Sequence, residues 1–143
     1  MEKIFLDTSF LYAYYDADDE NHEKAIVLAD EISDKNIDCL ISDYIVDELL
    51  TLLLCRVGKS KAIKLCNDLI EDINSGYVGL IRVDSNVFDK ALRIFVQFKD
   101  KKWSFTDCTC YVLIKNANIT KAISFDDKHF RQFGIEILPL ENS

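Results

Sequence analysis

The sequence predicts an α/β fold, a three-layer α/β/α sandwich with a central, mainly parallel sheet. Three observations lead there. Short runs of apolar or small residues, such as Ile4-Phe5-Leu6, Cys39-Leu40-Ile41 and Ala122-Ile123-Ser124, alternate with longer stretches of helical periodicity. Such runs lack the in–out alternation of a half-solvated strand, so they suit a sheet covered on both faces. One Pro and four Gly in 143 residues leave little room for linkers.

Element by element, Ile4-Phe5-Leu6 reads as a buried strand that leaves through Asp7-Thr8-Ser9 into a helix or turn. Residues 20–32 carry apolar side chains at 25, 26, 28, 29 and 32, the stripe of an amphipathic helix. Residues 39–41 form a second strand, closed by Ser42-Asp43, which cap a helix over 44–56. Gly58 ends that helix, and another follows over 59–73 before Gly76. A strand is expected over 77–83, then helices over 85–98 and 107–115. A strand at 122–124, a short helix over 128–133 stopped by Gly134, and a last strand at 136–138 before Pro139 complete one domain over residues 1–143.

Composition narrows the function classes. The net charge of −8 and pI near 4.7 argue against broad electrostatic adhesion to nucleic acid or anionic membrane. They leave room for a nucleic-acid enzyme whose bound divalent ions supply local positive charge. An acid at position 7 interrupts any secretory apolar stretch, and the greasiest region, 39–55, contains Asp43, Asp47 and Glu48, which a bilayer rejects. A cytoplasmic protein with no membrane association is expected. The five cysteines form no CxxC pair, so free thiols are expected in a reducing compartment. With only His22 and His129, a zinc site at Cys108-x-Cys110 is poorly supplied.

Ligands of open parallel sheets sit beyond the carboxyl ends of the strands, where strand order reverses. Asp7 follows the first strand, Asp126 lies just past the strand at 122–124, and Asp107 opens a helix. Each also has an ordinary reading as a helix cap, and Ser104-Phe105-Thr106-Asp107 reads as a capping box. Glu48 is different. Its helical neighbours Tyr44, Ile45, Thr51 and Leu52 place it on or beside an apolar face, with Arg56 two turns away. A buried charge is usually paired or metal-bound. Four carboxylates with no evident basic partner suit hard cations, magnesium or manganese in its place. No loop has the EF-hand spacing for calcium. One or two such ions activate water for attack on a phosphodiester, leaving a 5′-phosphate and a 3′-hydroxyl.

Four segments in this order, Phe5-Leu6-Asp7-Thr8-Ser9, Ile41-Ser42-Asp43-Tyr44-Ile45-Val46-Asp47-Glu48-Leu49, Ser104-Phe105-Thr106-Asp107-Cys108 and Ser124-Phe125-Asp126-Asp127-Lys128-His129-Phe130, resemble the acidic motifs of the PIN-domain family. The likeness is to its VapC-type toxins and their archaeal and bacterial relatives, and it spans nearly the whole chain. It implies a metal-dependent endoribonuclease with Asp7, Glu48, Asp107 and Asp126 as catalytic and metal-binding acids. Ser9 would orient them. Asp126 is preferred as the fourth acid because it follows Ser124 by two; Asp127 is the reserve. Family members keep basic residues near the site, and Lys99, Lys101, Lys102, Lys128, His129 and Arg131 are the candidates for phosphate. The resemblance also implies an RNA substrate, a basic antitoxin partner and a homodimer.

Competing readings fit less. A haloacid-dehalogenase-type phosphatase needs a second Asp where Ser9 stands, and no Gly-rich loop follows the first strand for a dinucleotide. A response-regulator receiver would use Asp84 after the third strand but leaves Glu48 and Asp107 idle. A PIN-like protein- or RNA-binding module without catalysis is the alternative that remains.

Overall fold

The computed structural model describes residues 2–139; residue 1 and residues 140–143 of the expected domain lie outside the described residues. Five strands form one sheet in the order β3-β2-β1-β4-β5: β1 (Lys3–Leu6), β2 (Asp38–Ser42), β3 (Gly79–Ile81), β4 (Lys121–Ile123) and β5 (Glu136–Leu138). Every pairing is parallel, so the mainly parallel expectation becomes wholly parallel among the described residues.

The centre of the sheet is the driest part. Ile4, Phe5 and Leu6 on β1, and Ala122 and Ile123 on β4, are buried, which is why these runs are apolar at every position. Helices α1 (Thr8–Tyr15) and α2 (His22–Asp34) connect β1 to β2, and α3 (Asp43–Val57) and α4 (Lys59–Ser75) connect β2 to β3. Helices α5 (Ser85–Gln97) and α6 (Phe105–Asn116) carry the chain back across the sheet to β4. Right-handed crossovers running outward on one side of β1 and returning to the other put the two helix sets on opposite faces. The predicted three layers result, and the strand order reverses between β1 and β4.

Of the helix or turn expected after the first strand, residues 8–15 form the helix. Two other expectations change in detail. The strand predicted over 77–83 pairs only at Gly79–Ile81. The Val78 amide is taken by the Asp72 carbonyl (3.2 Å) and the Val83 amide by Asp43 Oδ1 (3.0 Å), so neither joins the ladder. The helix expected over 128–133 contracts to a single 3-10 turn, Phe130–Phe133, closed by Gly134 in the left-handed region (φ 76°). Gly58, at φ 84°, separates α3 from α4 as expected.

Candidate active site

Strand β1 carries Asp7 to the reversal point, and the Asp7 amide donates to the Ile123 carbonyl (3.0 Å), fixing the end of β1 against β4. Asp7 occupies the N-cap position of α1 with extended backbone, yet its side chain makes no capping bond. The carboxylate turns toward β4 instead. Its Oδ2 accepts from the hydroxyls of Ser124 (2.6 Å) and Ser9 (3.0 Å). Ser9 Oγ in turn accepts from the amides of Phe125 (2.9 Å) and Asp126 (3.3 Å), and Ser124 Oγ from the Asp126 amide (3.1 Å). The two serines therefore bind the start of α1 to the loop after β4 and hold both acids' backbones in one frame.

Asp7 is 8% exposed. Burial pushes its carboxyl up to about 6; the serine hydrogen bonds oppose that rise and the negative charge of Glu48 adds to it. Among the described residues no Lys, Arg or His lies within ion-pair distance of Asp7.

Glu48 sits in the second turn of α3, half-buried. The Ser42 hydroxyl caps that helix by accepting from the Ile45 amide (3.1 Å). Asp43 ties its first turn to the segment after β3 through the amides of Tyr44 and Val83 (both 3.0 Å). With Ile45, Leu49 and Leu53 buried along one stripe, Glu48 falls at the stripe's edge. Asp107 is the third residue of α6 and completes the predicted capping box: Ser104 Oγ accepts from the Asp107 amide (3.0 Å) and Asp107 Oδ2 from the Ser104 amide (2.9 Å). Its Oδ1 makes no hydrogen bond to a described residue. Trp103, packed edge-to-face on Phe98 and Phe133 and donating to Gln132 Oε1 (2.6 Å), anchors the approach to α6 against the 3-10 turn.

These elements bring Asp7, Glu48, Asp107 and Asp126 to the wall of one cleft of about 390 Å³. Asp127 is not in that wall; it pairs with Arg131 at 2.5 Å. Of the basic candidates, His129 lines the cleft, whereas Lys102 borders a separate hollow with Lys99 and Lys101 beside Trp103, and Lys128 and Arg131 lie outside both. A larger cavity of about 770 Å³, where Tyr15 donates to Asp72 (2.7 Å), contains none of the four acids. Volume alone would mislead.

Sequence reasoning gave several cleft residues no part in the site, among them Thr8, Tyr12, Asp19, Glu20 and Arg56. Thr8 is buried in the wall, and its Oγ1 has no hydrogen-bond partner among the described residues. Tyr12 lies on α1, where the sequence left helix or turn open. Arg56 stacks over Tyr12, 5.1 Å from the ring centroid; its signal was its position two turns beyond Glu48, on the same helix face. All five cysteines are free, and burial pushes the Cys108 thiol up to about 11, which suits packing on α6 rather than ligation. Among the described residues no group of three or more His, Cys, Asp or Glu side chains is gathered tightly enough to hold a metal ion. The acids share a cleft without converging. No helix of the described residues is long and apolar enough to cross a membrane.

Comparison with known proteins agrees with this arrangement. The PIN domain family model matches residues 4–136. Ribonuclease VapC26 of Mycobacterium tuberculosis is 27% identical over 128 residues, covering 89% of each chain. The 23S rRNA-specific endonuclease VapC20 of the same species is 26% identical over 95% of this chain and 98% of its own. The crystal structure of VapC20, titled a sarcin-ricin loop cleaving toxin, has a TM-score of 0.73 at 23% identity over 90% of this chain and 94% of that one. VapBC2 of Rickettsia felis, solved bound to a DNA fragment from its promoter, has a TM-score of 0.66 at 14% identity over 94% and 96% of the respective chains.

Proposed function

This chain belongs to the PIN domain family, and from that membership and its acid-lined cleft we propose that it is a divalent-metal-dependent endoribonuclease, one nuclease domain over residues 1–143 and the toxin of a toxin–antitoxin pair. The observation that carries the reading is Asp7: a buried carboxylate at the strand-order reversal, raised to about 6 and without a cation among the described residues, in a wall shared with Glu48, Asp107 and Asp126 and also with Asp19 and Glu20. Burying such a group unpaired is costly, and a hard cation is the partner that removes the cost. The donor set is all oxygen, and the orphaned Thr8 hydroxyl beside it suits an ion's water shell.

Asp7, Glu48, Asp107 and Asp126 are the residues that would hold one or two magnesium ions, with manganese as a substitute. When bound, the ion supplies a water of lowered pKa and positive charge facing the phosphate. The remaining work falls to the chain. Ser9 and Ser124 fix the orientation of Asp7. Asp107 offers Oδ1 to the cleft while Oδ2 keeps its helix capped. His129, in the same wall, is placed to contact a phosphate. Similarity to VapC26, a ribonuclease, and VapC20, a 23S rRNA-specific endonuclease, supports RNA as the substrate class.

The same reading includes a basic antitoxin, which suits a chain of net charge −8, and the complex of VapBC2 with promoter DNA supports such pairing. It also includes a second copy of this chain. Phe88, Leu92, Phe95 and Val96 are exposed at helical spacing on α5, flanked by Asp89 and Arg93, so antiparallel pairing of two such helices sets each acid near the other copy's arginine.

One observation favours the catalytically silent alternative: among the described residues no three acids converge. A single experiment decides. Purified chain and an Asp7→Asn variant are incubated with mixed single-stranded RNA in magnesium, manganese or EDTA. Cleavage that needs metal and is lost in the variant is the expected result. Binding of RNA without cleavage under any metal identifies the silent module, and equal cleavage by both proteins removes Asp7 from the site.

A further inference from the structure

We infer that Arg56, seated on the ring of Tyr12 at the rim of the acid cleft, grips a phosphate of the RNA; the inference rests on the nuclease reading of that cleft. Of the described residues lining the cleft, Arg56 and His129 are the only basic ones, and Arg56 alone presents the planar fork of donors that matches a phosphate. An RNA strand approaching a chain of charge −8 needs fixed cations close to the acids that do the chemistry.

The guanidinium is positioned by Tyr12 and forms no ion pair with a described residue. It lies 5.1 Å from the Tyr12 ring centroid. Tyr12 is itself buried and held from below: its hydroxyl interacts with Asp16, which is buried and paired to Lys61 at 2.9 Å, and Lys61 also bonds Asp18 at 2.8 Å. This chain of contacts joins α1 and α4 beneath the ring and makes Tyr12 a positioning residue for Arg56. Four basic side chains of the described residues are engaged by acids: Lys61 by Asp16 and Asp18, Lys101 by Asp100, Lys121 by Glu2 and Glu136, and Arg131 by Asp127. Arg56 makes no ion pair with a described residue, although acids line the same cleft. Arg56 also donates to the Tyr12 hydroxyl, which takes one of its five N–H donors and leaves others for an oxyanion such as a phosphate, which a guanidinium can bind bidentately.

The test is equilibrium binding of a fluorescein-labelled, mixed-sequence single-stranded RNA, read by anisotropy in magnesium between 50 and 200 mM salt, conditions that separate counterion release from other terms. Asp7→Asn serves as the non-cleaving background, alone and combined with Arg56→Gln or Arg56→Lys; Arg56 is exposed, and melting temperatures verify that each variant folds. Arg56→Gln is expected to weaken binding roughly tenfold and to lower the slope of log affinity against log salt by about 0.7. Arg56→Lys is expected to keep the slope but recover only part of the affinity, because the planar fork is lost. Equal affinity and slope for the Gln variant, or no RNA binding by the Asp7→Asn chain, overturns the inference. Metal-dependent cleavage by the unsubstituted chain is scored separately. Cleavage with an indifferent Arg56 sinks only this inference, and Arg56-dependent binding without cleavage sinks only the nuclease reading.

Discussion

Asp7 stands where a helix cap would stand, and it declines the role. Its carboxylate faces two serine hydroxyls and a cluster of acids instead of the free amides of α1. The folded chain therefore holds this group near 6, above the ordinary carboxylate range, because burial disfavours its charge. A raised folded-state value means that Asp7 favours folding at low pH; that contribution is lost as pH rises from about 4 through 6 and amounts to on the order of 3 kcal/mol. Asp7→Asn keeps an acceptor for both serines without the charge. In metal-free buffer at pH 8 the variant should melt higher than the parent, and its melting temperature should be flat between pH 4 and 7 where the parent's falls. Calorimetry in EDTA across that range checks both, and a parent curve that rises with pH would refute the assignment. At the last motif, Asp127→Ala removes only an ion pair with Arg131 and should leave RNA cleavage within about threefold, a surface pair being worth under about 1 kcal/mol. Asp126→Ala should lower turnover by a hundredfold or more, the scale on which loss of a group placed to stabilise transition-state charge is felt, about 10²–10³; single-turnover assays separate the two. The positions of Asp7, Asp107 and Asp126 were readable in the sequence because strand ends and helix starts are, and that of Glu48 because it borders an apolar helix face. Arg56 was not, since its meaning depends on a tyrosine in an element the sequence left open as helix or turn.

That element is α1. Residues 10–15 read Phe-Leu-Tyr-Ala-Tyr-Tyr, apolar or aromatic on every side, and nearly all are buried. A helix enclosed on all faces has no polar stripe to set a 3.6-residue period. The boundary signal at Asp7-Thr8-Ser9 was there, but nothing after it chose helix over turn. Helix α6 is the opposite case: its capping box was legible at Ser104 and Asp107 and is present as read. The same pair makes an element-scale prediction. Ser104→Ala removes the cap on the Asp107 amide and should cost about 1 kcal/mol, seen as a lower denaturant midpoint with unchanged slope. The Ser104 backbone amide, which holds Asp107 Oδ2, survives the substitution. Cleavage per folded molecule should therefore change little, whereas a large loss of turnover would mean that the serine hydroxyl itself acts in the cleft. The strand predicted over 77–83 was overextended because period-2 patterning cannot reveal that Asp43 intercepts the Val83 amide, a contact forty residues away in sequence.

At the scale of the whole molecule, the sequence implied a parallel sheet but not the order β3-β2-β1-β4-β5, because strand order depends on which way each crossover runs, not on any local residue pattern. That order is what makes the site: it puts the ends of β1 and β4 side by side, so the Asp7 carboxylate and the Asp126 amide, 119 positions apart in sequence, meet through the hydroxyls of Ser9 and Ser124. The price of the arrangement is electrostatic. A chain of net charge −8 gathers six carboxylates in the wall of one cleft, which destabilises the metal-free fold and makes it responsive to cations. A divalent ion that binds only the folded state stabilises it by about 2.7 kcal/mol at a hundred times its dissociation constant, equivalent for a chain of this size to a rise of roughly 10 °C. Magnesium or manganese should produce that rise at pH 8. Below pH 6 the ion must displace a proton from Asp7, so its apparent affinity should weaken by up to about tenfold per pH unit. Asp7→Asn should abolish most of the rise at either pH. Monovalent salt at equal ionic strength is the necessary control, because screening alone relieves part of the repulsion. A melting temperature that responds equally to sodium and magnesium, or that rises equally in the Asp7→Asn chain, would show that the cleft is an acidic surface and not a metal centre.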